Sequence, residues 1–511
     1  MSNDEREAST SPATEASEVR AQTGIRGLDD VLLGGLPQGH LFLLEGEPGT
    51  GKTTMGLQFL LAGSSQGEKT MYITLSESRR EIEGVARSHR WSLEGITIFE
   101  VTPKEDSLRP EDQYSAFHPS EVEFQDTTHS ILEQVDKLQP SRVVFDSLSE
   151  IRLLARDSLR YRRQILALKH FFTNRNCTVL LLDDRTATAE DHQLQSIAHG
   201  VILLERLQRE YGPERRRVRV VKMRGSRFRE GFHDYLIETG GVAVYPRLVA
   251  SEHRVEETHG QASSDVAGLD ALWAGGLSRG TSTLILGPAG CGKSTIAMSY
   301  AHAASARGEY AACFIFDETR SSAIGRAARL GIDPAPFLES GRMTLDQIDP
   351  AELTPGEFVQ MIRTAVEQKG ARMIIIDSLN GFLNAMPGEN FLTIQMHELL
   401  MFLNQRGVVS ILVLAQAGLL GASMRSPVDL SYLADNVMLL RYFEAEGKVR
   451  KAISVLKKRS GEHEDTIREL HLAKGEISVG PALAQFQGIL TGVPSFNGTR
   501  AKLLGSADEV E

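Results

Sequence analysis

One phrase occurs twice in this 511-residue chain, GEPGTGKTT at 46–54 and GPAGCGKST at 287–295. Both fit G-x-x-x-x-G-K-[ST], and their lysines, Lys52 and Lys293, stand 241 positions apart. The same offset relates Gly27-Leu28-Asp29 to Gly268-Leu269-Asp270, and Gly34-Gly35-Leu36 to Gly275-Gly276-Leu277. Three separate features sharing one offset mark an internal duplication, so the chain is expected to build one fold twice. The polar stretch SEHRVEETHGQASS (251–264) has linker composition and is the expected seam. The organisation expected is a disordered acidic tail over 1–20, a first domain over 21–250, a second over 251–490 and a tail over 491–511. The tails are too poor in large apolar groups to offset their ordering entropy.

In each half, apolar runs of strand length alternate with helical patterns. The first half has LFLLEG (41–46), TMYITLS (70–76), RVVFDSL (142–148) and TVLLLDD (178–184), with SLRYRRQILALKHFFTNR (158–175) as a helical stretch between the last two. The second has TLILG (283–287), AACFIFDE (311–318), RMIIIDSL (372–379) and VSILVLAQ (409–416). The alternation predicts an α/β fold, each half a mostly parallel sheet flanked by helices. RRRVRVVKMRG (215–225) and VRKAISVLKKRSG (449–461) predict an antiparallel extension late in each half. Apolar residues make up 41% and charged residues 24%, as in ordinary globular proteins. The longest apolar run, at 408–422, is too short for a bilayer and contains Gln416, so no membrane role is expected. Three cysteines (Cys177, Cys291 and Cys313) without ligand spacing suit a reducing cytoplasm. A net charge of −11 weighs against a chain built to grip nucleic acid.

The chemistry is expected at the glycine phrases. Each follows an apolar strand and precedes a helical pattern, which is the setting of a phosphate-binding loop. Glycines allow close backbone approach to phosphates, and the helix behind offers its positive end. The expected ATP contacts are Gly49, Thr50, Gly51, Lys52, Thr53 and Thr54, and Gly290, Cys291, Gly292, Lys293, Ser294 and Thr295. Mg2+ is expected on Thr53 and Asp146, and on Ser294, Asp377 and Glu318; Asp146 and Asp377 each end an apolar strand. A base for the attacking water or hydroxyl should sit at the end of the strand beside the glycine loop. FDETR offers Asp317 and Glu318, while LSESR offers Glu77 with Ser76 where the second half has Asp317. Both halves are therefore expected to bind ATP with unequal chemistry. The competing reading is helix capping, which Ser76, Asp317 or Thr319 could supply. Late in each half stand VVKMRGS (220–226) and VLKKRSG (455–461). Lys222/Arg224 and Lys457/Arg459 should share a side of their strands, either to reach a neighbouring subunit's γ-phosphate or to protect a sheet edge.

Together these residues resemble the KaiC family, RecA-like tandem ATPases of the circadian-clock type. The resemblance rests on the duplicated GLD…GGL lead-in, both glycine loops, DS after both aspartate-ending strands, ARSHRW (86–91), the K-x-R pairs and IREL (467–470). It implies two tandem RecA-like P-loop NTPase domains and a homohexamer of two stacked rings with ATP between subunits. It implies nucleotide contacts at Ser88, at Lys222, Met223 and Arg224, and at Lys457, Lys458 and Arg459 toward the adjacent protomer. It also implies autophosphorylation in the second half, at a segment where this chain has VDLSYLADN (428–436). Ser431 keeps a hydroxyl there and Tyr432 replaces the family's second acceptor. The resemblance implies a signalling or timing switch with an unidentified protein partner; the alternatives are a RecA/RadA-like DNA-dependent ATPase on the same fold and a non-catalytic ATP-responsive scaffold.

Overall fold

A computed structural model describes residues 19–101, 119–155, 157–185, 192–208, 212–253, 260–384, 391–416, 433–490 and 494–497. Ser431 and Tyr432, residues 1–18 and 498–511 of the expected tails, and 417–422 of the long apolar run lie outside the described residues. The chain divides into two compact units, with the main break between Arg247 and Leu248.

In the first unit nine strands form one sheet: β1 (Leu41–Gly46), β2 (Thr70–Thr74), β3 (Ile96–Glu100), β4 (Arg142–Asp146), β5 (Thr178–Asp184), β6 (Gly200–Leu207), β7 (Arg215–Met223), β8 (His233–Glu238) and β9 (Gly241–Tyr245). Their spatial order is β9-β8-β7-β6-β1-β5-β4-β2-β3. From β6 to β3 neighbouring strands are parallel, while β6 to β9 form an antiparallel wing. The second unit repeats this with β10 (Ser282–Gly287), β11 (Tyr310–Ile315), β12 (Met343–Gln347), β13 (Ala371–Asp377), β14 (Val409–Ala415), β15 (Asn436–Ala445), β16 (Lys448–Lys458), β17 (Arg468–Ala473) and β18 (Glu476–Ala482). Its order, β18-β17-β16-β15-β10-β14-β13-β11-β12, matches the first strand for strand. The fold is α/β, two tandem RecA-like P-loop domains.

Helices α1 (Lys52–Ser65), α2 (Arg79–Ser88), α3 (Ser158–Thr173) and α4 (His192–Ile197) serve the first unit; α5 (Lys293–Ala306), α6 (Arg320–Arg329), α7 (Pro355–Glu367) and α8 (Phe391–Gln405) serve the second. Both faces of each sheet are covered, so the strands read as unbroken apolar runs rather than alternating ones. Along β1, Phe42 and Leu44 face the core under α1, while Leu41 and Leu43 face the core under α3.

The repeated lead-ins have a steric cause. Asp29 Oδ1 accepts hydrogen bonds from the amide and hydroxyl of Thr23, both at 2.8 Å, and Asp270 Oδ1 does the same for Ser264 at the same distances. Gly35 and Gly276 have φ of 114° and 133°. A Cβ there would fall 2.4 Å from Ala21 O and 2.6 Å from Ala262 O, so only glycine fits. These contacts hold short ribbons, Arg20–Ala21 on Leu36–Pro37 and Gln261–Ala262 on Leu277–Ser278. The first of them begins at Arg20, the last residue of the expected tail.

Candidate functional site

Each glycine loop runs from the central strand, β1 or β10, into a helix that starts at the lysine. Gly49 and Gly51 have φ of 81° and 90°, and Gly290 and Gly292 have φ of 75° and 109°. A Cβ on Gly51 would lie 2.7 Å from Ile237 Cδ1, and one on Gly292 2.6 Å from Leu472 Cδ1. The antiparallel wing braces both loops: Tyr235 OH donates to Thr50 O at 2.7 Å, and Tyr442 OH donates to Ala289 O at 3.1 Å. Lys52 Nζ donates to Gly46 O (2.9 Å) and Glu47 O (3.0 Å) and pairs with Asp184 Oδ1 at 2.7 Å. Lys293 Nζ donates to Pro288 O at 2.7 Å and lies 3.9 Å from Cys291 Sγ. Both lysines are buried, although nothing apolar is gained by burying an ammonium. Each is held where a phosphate would meet the loop amides and the helix's positive end.

The strand-ending aspartates stand beside these helices. Thr53 Oγ1 donates to Asp146 Oδ2 at 3.3 Å, and Tyr72 OH donates to the same oxygen at 2.5 Å. Ser294 likewise hydrogen-bonds Asp377. Burial raises the carboxyl pKa of both aspartates above the ordinary value. A hydroxyl and a carboxylate are hard oxygen donors, and with nucleotide phosphates they form the kind of set that Mg2+ takes. Among the described residues no group of three His, Cys, Asp or Glu side chains is assembled for a metal by the protein alone. Thr54 and Thr295 are buried on the first helical turns, and Thr295 Oγ1 accepts from Arg326 Nη1 at 3.3 Å.

The expected bases follow β2 and β11, which are not beside the loop strands as expected but separated from β1 and β10 by two strands each. Glu77 is half-buried, and its Oε2 makes no hydrogen bond among the described residues. Burial, then the charge of Asp146, pushes its carboxyl upward. Glu318 is instead gripped by Arg326 of α6, with Nη2 on Oε1 and Nε 3.4 Å from Oε2. Asp317 accepts from the Ser378 hydroxyl. On α6 the cap is Thr319, one of the three residues named for that role, which accepts from Ser322 N at 3.3 Å, while on α2 it is Ser78 with Glu81. Ser76 is exposed and is not the cap.

The cationic pairs do share a side, and both fold onto their own unit. Lys222 donates to Gln195 O, Arg224 Nη2 to Ser196 O at 2.5 Å and Lys169 to Ile197 O at 2.8 Å, so three cations meet consecutive carbonyls at the end of α4. Burial first, then Arg224 and Lys169, lowers the pKa of Lys222. Lys457 Nζ donates to Ala434 O at 2.7 Å, and Arg459 pairs with Asp435 at 2.9 Å while remaining exposed. Lys458 Nζ reaches Trp273 O at 2.6 Å. Met223 is buried in the core. β7 and β16 are interior strands, but their outer neighbours pair only as far as Val218 and Ile453, so the cation-bearing ends run past that pairing. Ser88 ends α2 at the surface, its hydroxyl on Val85 O at 2.7 Å.

Three groups at the sites went unread in the sequence: Tyr72, Asp184 and Arg326. Asp184 was visible as the last letter of an apolar run, but its pairing with Lys52 follows from β5 lying beside β1. Tyr72 and Arg326 could have been found by laying the halves over one another, since the shared offset puts Cys313 opposite Tyr72 and Val85 opposite Arg326.

A family model described as "ATPase: KaiC" matches residues 21–249 and again 262–484. The circadian clock oscillator protein KaiC of Picosynechococcus sp. is 25% identical over 492 residues, covering 93% of this chain and 92% of the relative. The circadian clock protein KaiC3 of Synechocystis sp. is 24% identical, covering 93% of this chain and 95% of that one. KaiC of Thermostichus vulcanus is 25% identical over 503 residues, covering 96% and 95%.

Proposed function

The chain belongs to the KaiC family of ATPases, and from that premise we propose that it is a two-site ATP-driven signalling switch with Ser/Thr autokinase activity in its second half. The observation that carries this reading is the twice-built site: a glycine loop, a buried lysine, a hydroxyl paired to a strand-ending aspartate, and a glutamate at the end of a neighbouring strand. Bound Mg-ATP would supply the transferable phosphoryl group. Lys52 and Lys293 would hold its phosphates, and Thr53 with Asp146 and Ser294 with Asp377 would hold the ion.

At the first site, Glu77 takes a proton from water as the water oxygen bonds the terminal phosphorus and the bond to the ADP oxygen breaks. Burial and the nearby charge of Asp146 raise its pKa above the ordinary carboxylate value, which makes it a stronger base. At the second site a protein hydroxyl, Ser431 in this reading, takes the place of water and Glu318 receives its proton. The cationic pairs Lys222/Arg224 and Lys457/Arg459 would leave their own carbonyl and carboxylate partners to meet nucleotide on an adjacent protomer, in a hexamer of two stacked rings. No helix among the described residues is long and apolar enough to cross a membrane.

Intact-mass spectrometry after incubation with Mg-ATP, with peptide mapping across 428–436, tests the reading. The expected result is ADP release together with addition of one phosphate at Ser431. ADP release with no mass gain would remove the kinase and leave an ATPase; neither product would remove both.

A further inference from the structure

We infer that Arg326 is a positioning residue that clamps the base of the second site, and that this clamp sets the turnover of that site apart from the first. The inference rests on the ATP-site reading above. Glu318 is the expected base of the second site, and both of its oxygens face the Arg326 guanidinium. The same guanidinium reaches Thr295 on the first turn of α5 and bears electrostatically on Asp377. A planar fork engaging a carboxylate through two nitrogens fixes its direction as well as its charge. Glu318 held in this way presents its lone pairs to arginine rather than to an attacking hydroxyl.

The geometry follows from helix direction. Arg326 stands two turns into α6, and helical side chains lean toward the N-terminus, which brings its head back to the segment between β11 and α6. In the first unit the matching position of α2 is Val85, which carries no charge, and Glu77 Oε2 there makes no hydrogen bond among the described residues, with Lys52 bearing on the carboxylate electrostatically. Two sites with the same glutamate thus differ in whether that glutamate is engaged before substrate arrives. The pair is partly exposed, with side-chain exposures of 29% and 28%, so it can open without unfolding α6.

The test uses the full chain carrying Glu77→Gln, which silences first-site hydrolysis while leaving its cradle intact. Arg326→Val is added, with Arg326→Gln as a second variant should valine perturb packing, and each is repeated with Glu318→Gln. Fluorescent-nucleotide binding is measured alongside turnover. In the nucleotide-free protein, the denaturation midpoints of Arg326→Val, Glu318→Gln and the double variant should be non-additive. With Mg-ATP, Arg326→Val should raise kcat roughly tenfold, the scale of a lost charge-assisted hydrogen bond, with KM little moved. Adding Glu318→Gln should abolish the gain. Unchanged or lower kcat in variants that still bind nucleotide, or additive midpoints, would overturn the clamp. Absence of nucleotide binding in the parent would instead sink the ATP-site reading, and the clamp with it.

Discussion

Removing the Asp184 carboxylate should tighten ATP binding at the first site. Lys52 is the group expected to meet phosphate, yet its ammonium is paired with Asp184 at 2.7 Å. Phosphate must therefore displace a carboxylate before it gains the lysine. The pair's side chains are 10% and 39% exposed, so solvent screens it from one side and its worth lies near the upper end for surface pairs, about 1 kcal/mol. Losing that competitor should lower Kd about fivefold. The second unit supplies the comparison, because Ala415 sits opposite Gly287 where Asp184 sits opposite Gly46. Titrating Asp184→Ala with a fluorescent ATP analogue in a Lys293→Ala background reads the first site alone. Asp184→Asn, which keeps shape and removes charge, should move the same way, and Ala415→Asp in a Lys52→Ala background should weaken the second site. Unchanged or weaker binding by Asp184→Ala would refute the competition and make Asp184 a contributor to nucleotide or metal binding.

Glu77→Gln should stop first-site hydrolysis yet raise the unfolding temperature of the metal-free protein, because it removes a half-buried carboxylate whose Oε2 has no hydrogen-bond partner among the described residues. A carboxyl with raised folded pKa costs stability while ionised, so the advantage should be largest at neutral pH and fade as pH falls through that pKa; an advantage that grew on acidification would contradict the assignment. Gly27→Ala should cost the first unit about 3 kcal/mol, because the new Cβ would lie 2.0 Å from Val244 O at a φ of 79°. Gly268→Ala, with its nearest contact at 2.8 Å to a side-chain carbon of Val479, should cost less, and thermal unfolding of the two variants checks the order. Arg459→Ala should inactivate a neighbour's site, so mixing it with Lys293→Ala should restore partial activity; failure in mixed rings shown by native mass spectrometry would exclude action across subunits.

What could be read from the sequence was the part that repeats. LFLLEG coincides with β1, TVLLLDD with β5, and the lysine of each phrase begins its helix, because long apolar runs and glycine punctuation are local signals. Glu77 and Glu318 could be named because each follows a strand-length apolar run at the shared offset. The partners of these groups could not. Lys52 meets Asp184 because β5, late in the sequence, lies beside β1, and strand order is not written in periodicity. Glu318 meets Arg326 through the phase of α6, which is set by its Thr319 cap. Lys222 and Arg224 were legible as a cationic pair, but their carbonyl partners at the end of α4 depend on where that six-residue helix stops.

The duplication therefore copied a cradle and left its counter-ions to diverge. In the first unit the intramolecular ion pair holds the lysine that would bind phosphate; in the second it holds the glutamate that would accept the proton. Substrate can displace Asp184 simply by binding, so that pair should set ATP affinity. Opening the Arg326 pair helps only once the acceptor's proton must leave, so that pair should set the rate of the chemical step. Steady-state kinetics on each isolated site separate the two. Asp184→Ala should lower KM with kcat nearly constant, and Arg326→Val should raise kcat with KM nearly constant. If both substitutions moved the same parameter, the two ion pairs would be equivalent decorations of one site, and the unequal chemistry of the halves would have to come from the Ser76/Asp317 difference alone.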